Sequence, residues 1–95
     1  MAGNLYEKEL SEKAMNLHRA ISSLIEELEA VDYYNQRAEI TKDEALKKIM
    51  EHNRDEEKEH AAMLIEYLRR NDLEFEKELK EFLFTEGELT ELEEG

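Results

Sequence analysis

Residues 10–38 read LSEKAMNLHRAISSLIEELEAVDYYNQRA, and in them small and apolar side chains recur at Leu10, Ala14, Leu17, Ile21, Leu24, Leu28, Val31 and Ala38. The steps alternate between four and three, with one gap at Asn35, and that spacing places side chains along a single stripe of an α-helix. The stripe is narrow, as in a helix that packs lengthwise on another. At about 1.5 Å per residue such a helix is roughly 45 Å long, too long to be held by propensity alone, so the stripe must lie on a partner.

The pattern stops around Glu39, and Thr41-Lys42-Asp43-Glu44 restarts it as a capping box, in which the Thr41 hydroxyl accepts from the Glu44 N–H and the Glu44 carboxylate reaches back. The inward positions of the second helix are Leu46, Ile49, Met50, Asn53, Glu57, His60, Leu64, Tyr67 and Leu68, up to a further cap at Asn71-Asp72. A third segment places Phe75, Leu79, Phe82 and Leu83 on one side and is expected to end at Thr85-Glu86-Gly87. The sequence therefore predicts one all-α domain over 1–95: helix one about 7–38, helix two about 42–70, helix three about 72–84, and an acidic tail over 85–95. Proline is absent and the three glycines lie outside 4–86, so nothing there breaks a helix. Two long helices with a short connection form an antiparallel hairpin, which is half of a four-helix bundle. Pairing with a second copy is the expected remedy for its uncovered side.

Composition narrows the function. With 13 Lys+Arg against 26 Asp+Glu the net charge is −13, and a chain this anionic is repelled by the phosphates that supply most nucleic-acid affinity. Neither nucleic acid nor an anionic membrane is an expected partner. There is no cysteine, hence no disulfide, thiolate metal site or cysteine nucleophile, in keeping with a reducing compartment. No apolar run approaches the roughly 20 residues that span a bilayer, and Met1-Ala2-Gly3-Asn4 shows no signal-peptide core, so the expected location is the cytoplasm.

The chemistry lies in helix two, where Asn53, Glu57 and His60 occupy successive inward positions among apolar neighbours. Burying a carboxylate is costly unless it is paired, protonated or bound to metal. Glu57-Lys58-Glu59-His60 is a Glu-x-x-His, which aims a carboxylate and an imidazole one turn apart at the same point. The string alone is weak, because with 22 glutamates and three histidines the odds that one histidine follows a glutamate at this spacing are roughly even. Its place on the apolar face is what counts. In di-iron carboxylate bundles two helices each give one Glu and the other two each give a Glu-x-x-His. This chain has one such motif and a candidate lone carboxylate in Glu27, beside the Leu24, Leu28 and Val31 stripe. That is half of a di-metal site, and a two-fold dimer completes the bundle and the site together. Carboxylate-rich, sulfur-free ligation suits iron or manganese better than copper and admits zinc.

Tyr34 lies seven residues after Glu27 on the same face, placed to orient a ligand, to donate an electron, or to form an aromatic edge of the core. Two outward clusters, Glu26, Glu29 and Tyr33, and His52, Glu56 and Glu59, would attract cations or simply be solvated acidic faces. Asn53 orients a ligand or fixes helix register. For Glu57 and His60 the alternative to metal binding is a salt-bridged core pair.

The blocks Ile25-Glu26-Glu27-Leu28-Glu29-Ala30-Val31-Asp32-Tyr33-Tyr34, His52-Asn53-Arg54-Asp55-Glu56-Glu57-Lys58-Glu59-His60-Ala61-Ala62-Met63, Leu68-Arg69-Arg70-Asn71-Asp72 and Leu83-Phe84-Thr85-Glu86-Gly87 closely resemble the encapsulated ferritins. The resemblance implies a ferroxidase that oxidises Fe(II) with dioxygen inside an encapsulin nanocompartment, whose shell stores the mineral. It implies two-helix chains whose dimers complete a di-iron centre and assemble into an annular decamer of five dimers. Carried over by position, Glu27, Glu57 and His60 would be the iron ligands, with Tyr34 close by. Glu26 and Glu29, flanked by Tyr33, would match a site of metal uptake near the dimer axis, and His52, Glu56 and Glu59 a peripheral site for other divalent cations. The linker and targeting peptide of cargo members are not visible before Gly95, so the shell as partner rests on likeness. Two other readings stay open: a non-enzymatic helical assembly module with a buried polar cluster, and another di-metal activity such as a manganese catalase. A rubrerythrin with a cysteine-ligated iron is excluded by composition.

Overall fold

A computed structural model describes residues 8–93. The order of elements is α1 (Glu12–Ile40), α2 (Glu44–Asn71), α3 (Leu73–Phe82) and α4 (Leu89–Leu92), with no strand among the described residues. The expected start of helix one near residue 7 and the last two tail residues lie outside the described range. Ser11 sets the observed start of α1: its hydroxyl accepts from Ala14 N, satisfying an amide that has no partner within the helix.

The α1–α2 turn differs from the expected capping box. Thr41 closes α1, donating from its backbone N–H and its hydroxyl to the Arg37 carbonyl. Asp43 is the N-cap of α2, its carboxylate accepting from Leu46 N at 3.0 Å. Two adjacent caps divide the turn because one hydroxyl cannot serve a C-terminus and an N-terminus together. The second cap is at Asp72, which accepts from both Glu74 N and Phe75 N and opens α3 directly after α2. The end of α3 also departs from expectation. The backbone enters the left-handed region at Phe84 (φ 61), ahead of Gly87 (φ 99), and α3 stops at Phe82.

The hairpin packs α1 along α2, while α3 touches α2 and not α1. The molecule spans 47 × 40 × 18 Å, so it is about one helical layer thick. Its radius of gyration is 16.9 Å, against about 12 Å for a compact chain of this length. Core side chains are correspondingly few: Ala20, Ala38, Ala61 and Leu68 are buried. Three of the four are alanines, which let the backbones of α1 and α2 approach closely. Much of the apolar stripe therefore remains in solvent, with Leu28 51% and Ile49 53% exposed. Among the described residues no helix is long and apolar enough to cross a membrane.

Candidate metal centre

The middle of the hairpin brings Glu27 of α1 to Glu57 and His60 of α2. His60 Nδ1 lies 3.5 Å from Glu27 Oε2 and 3.7 Å from Glu57 Oε1, too long for strong hydrogen bonds. One ligand atom from each of the three falls within 4.8 Å of the others, the geometry in which a single cation could touch all three, and no other group of three or more such residues does so among the described residues. Glu57 and His60 project together because they stand one turn apart on α2, and helical side chains three apart share a face.

The cluster is electrostatically incomplete. Glu27 Oε2 is buried and has no hydrogen-bond partner, a costly condition for a carboxylate oxygen. The Glu57 carboxyl is pushed above its ordinary range, first by hydrogen bonding with Glu27, then by burial and the Glu27 charge, with His60 opposing. Each carboxylate charge disfavours the other, a cost that a cation between them would offset. Two carboxylates and an imidazole, one oxygen orphaned, are a donor set that fits a hard or borderline divalent ion. Three donors do not fill the coordination sphere of iron, and the His60 side chain is 43% exposed, so the set is open toward solvent.

That side carries exposed apolar side chains beside the exposed Glu56. At about 100° per residue, Ile49, Met63 and Tyr67 lie within about 60° of His60 around α2, and all three are exposed. Tyr34 is half-buried two turns from Glu27, with the Arg37 guanidinium 5.6 Å from its ring centroid. Glu26 and Tyr33 are exposed and Glu29 half-buried. Of the peripheral trio, His52 Nε2 approaches Glu56 Oε1 at 3.7 Å, while Glu59 lines a shallow groove with Ala62, Met63, Glu66, Tyr67 and Arg70. Neither cluster gathers three ligand atoms within this chain.

Sequence reading singled out neither Arg54 nor the elbow arginines. Arg54 donates across the hairpin from Nη1 to Asn35 Oδ1 at 3.3 Å. Arg69 forks onto Glu66 with two bonds of 2.7 Å and reaches Glu76 of α3 at 2.8 Å. The gap at Asn35 in the apolar stripe was the available signal for the first.

The EncFtn-like family model matches residues 4–86. The chain is 56% identical over 84 residues to an "Encapsulated ferritin-like protein" of Rhodospirillum rubrum, a match covering 88% of this chain and 60% of that protein. It is 55% identical over 86 residues to a "Ferritin-like protein" of Thermotoga maritima, covering 90% of this chain and 75% of the relative. Among solved structures it is similar to protein ne0167 of Nitrosomonas europaea, with a TM-score of 0.87 and 57% identity over 92% of this chain and 98% of that one.

Proposed function

The chain belongs to the EncFtn-like family, and from that premise we propose that it is a ferroxidase whose di-iron site is shared between two copies. The observation that carries the reading is the buried, unpartnered Glu27 Oε2 beside His60. It supports a cation as the missing partner. Two chains related by a two-fold axis would bring four carboxylates and two imidazoles to one cavity, the ligand count of di-iron carboxylate bundles. The exposed Ile49, Met63 and Tyr67 around His60 would be covered in the same step.

Fe(II) is the substrate. Each ion gives one electron to dioxygen and leaves as Fe(III); hard carboxylate oxygens favour the higher charge and so promote the transfer. Glu27 and Glu57 bind and bring the ions together as carboxylates. His60 binds as the neutral imidazole through a ring nitrogen. Tyr34, on the same face of α1 as Glu27, would border the site, with the Arg37 guanidinium 5.6 Å from its ring centroid. Glu26 and Glu29 beside Tyr33 are a route of uptake, and His52, Glu56 and Glu59 a peripheral cation site. A single helical layer has no storage cavity, so the product is handed to a mineral elsewhere. The name of the Rhodospirillum rubrum relative supports an encapsulin shell as that place; the cytoplasm as the location and an annular decamer of five dimers as the assembly rest on the resemblance of the sequence blocks to the encapsulated ferritins alone.

Aerobic oxidation of Fe(II), followed by near-ultraviolet absorbance as iron per chain is varied, tests the reading. A fast phase saturating near about one iron per chain is expected, absent in Glu57→Ala. Buffer-level rates for both proteins would favour the second reading, an assembly module in which His60 is an ion-paired bridge between two carboxylates, as its contacts with both allow. Disproportionation of peroxide by the manganese-loaded protein would instead favour a catalase.

A further inference from the structure

The apolar stripe of α1 breaks at Asn35, and at that break a polar side chain arrives from α2. Arg54 donates from Nη1 to Asn35 Oδ1 at 3.3 Å and from Nε to Asp55 Oδ1 at 3.0 Å. Its side chain is only 23% exposed, so the stem lies along the hairpin while the guanidinium bridges the helices. Asp55 holds the fork in place, and its hydrogen bond raises the Arg54 pKa further above its already high value. The bridge is therefore a permanent cation at any working pH.

Its location matters. Arg54 stands one turn before Glu57 on α2, and Asn35 two turns after Glu27 on α1. Between Glu27 and the buried Ala38, α1 offers α2 only partly buried side chains, Val31 and Tyr34 among them. Meanwhile Glu27 and Glu57 bring two carboxylates to one point where the helices meet, 3.5 and 3.7 Å from the same His60 nitrogen, and like charges so placed repel one another. A hairpin held by alanines, with repulsion in its middle, needs an element that keeps the helices from separating or sliding there. A planar guanidinium tied to both helices resists both movements better than an apolar contact, which is non-directional.

We propose that Arg54 and Asn35 form a positioning clamp that holds Glu27 and Glu57 at the separation a divalent cation bridges. The clamp touches neither substrate nor metal and acts through the spacing of α1 against α2. The inference rests on the ferroxidase reading only in taking Glu27, Glu57 and His60 as a cation site.

The test is anaerobic Co(II) titration of the full chain, read by the visible absorption of the bound ion, which reports affinity and ligand geometry without turnover. Arg54→Gln and Asn35→Ala should each weaken Co(II) binding roughly tenfold, the usual order for a residue supporting metal ligands from behind. Both should alter the absorption band. The double variant should lose no more than either alone, because both remove the same bridge. Asn35→Ala puts a better helix former at an exposed position, so this arm folds even where Arg54→Gln does not. Arg54→Lys, which keeps the charge and loses the fork, should recover only part of the affinity. Wild-type affinity and spectrum in both single variants, with only the melting temperature lowered, would overturn the clamp and leave a structural hydrogen bond. Losses that multiply in the double variant would also overturn it. Glu57→Ala separates the two levels: if it loses Co(II) while the clamp variants keep it, the clamp alone fails. Wild-type Co(II) affinity in Glu57→Ala would overturn the cation site and the clamp with it.

Discussion

Glu57 and Glu66 are glutamates on the same helix about two and a half turns apart, and they live in opposite surroundings. Glu66 sits at the α2–α3 elbow, gripped by Arg69 with two bonds and by Arg70 Nε at 2.6 Å. Hydrogen bonds from Arg69, then Arg70, hold its pKa down to about 2. Glu57 faces a second carboxylate and a single imidazole at longer range, and its pKa is raised. The elbow is satisfied by the chain that makes it, and Arg69 uses its remaining nitrogen to hold Glu76 and so orient α3. The middle of the hairpin is not satisfied. A structural charge cluster balances its own charges, whereas one that leaves a buried oxygen unpartnered awaits something from outside.

The largest expected effect breaks this comparison directly. Glu57→Ala or Glu27→Ala should reduce stoichiometric Fe(II) oxidation to the rate in buffer, while Glu66→Ala leaves it near wild type; stopped-flow absorbance compares them. Next is linkage. On the proposed reading metal binds the folded state, so Co(II) at a hundredfold excess over its Kd should stabilise by about 2.7 kcal/mol, a rise of roughly 10–20 °C in melting temperature for a chain of this size. The rise should vanish with a chelator and be absent in Glu57→Ala. Size-exclusion chromatography should show metal favouring the larger species, because it relieves repulsion among the converging carboxylates.

A smaller effect is expected at the elbow. Arg69→Gln frees Glu66 and Glu76 and should lower the melting temperature by a few degrees without changing Co(II) affinity, since these groups are partly solvated and their pairing is screened. The subtlest test is the pH dependence of metal-free stability, where the two glutamates have opposite signs. The depressed Glu66 pKa means that its contribution is present above its ordinary value of 4.5 and is lost as pH falls toward about 2. The raised Glu57 pKa means that its contribution is fully present below 4.5 and is lost as pH rises through its folded value. Urea denaturation across the acid range should therefore show Glu66→Gln flattening the acid limb. Glu57→Gln should remove an opposing slope at higher pH.

Much of this was legible before the structure. The stripe at Leu17, Ile21, Leu24 and Val31 implied a long helix with a partner, and the Glu57-x-x-His60 spacing implied a shared direction, because both depend on helical geometry alone. Less legible were the caps. Thr41 and Asp43 are both competent, and which one serves which helix depends on where the chain turns. Nor does periodicity distinguish a covered stripe from an uncovered one: Leu28 and Ile49 fit the inward pattern and yet are exposed in the single chain, because a hairpin has nothing beyond itself to bury them against.

From its sequence alone the protein is an all-helical hairpin with a carboxylate and an imidazole on one face of its second helix. Such features follow from repeats of three and four residues, which the backbone turns into faces whatever lies around them. The stripe already pointed to Glu27 as the carboxylate from helix one; only the tertiary structure brought it within reach of Glu57 and His60, left Glu27 Oε2 without a hydrogen-bond partner, brought Arg54 to Asn35, and tied α3 to α2 through Arg69. Those outcomes depend on the register and spacing of one helix against another. Register is set by the sum of many weak contacts along the whole interface, which no local pattern contains.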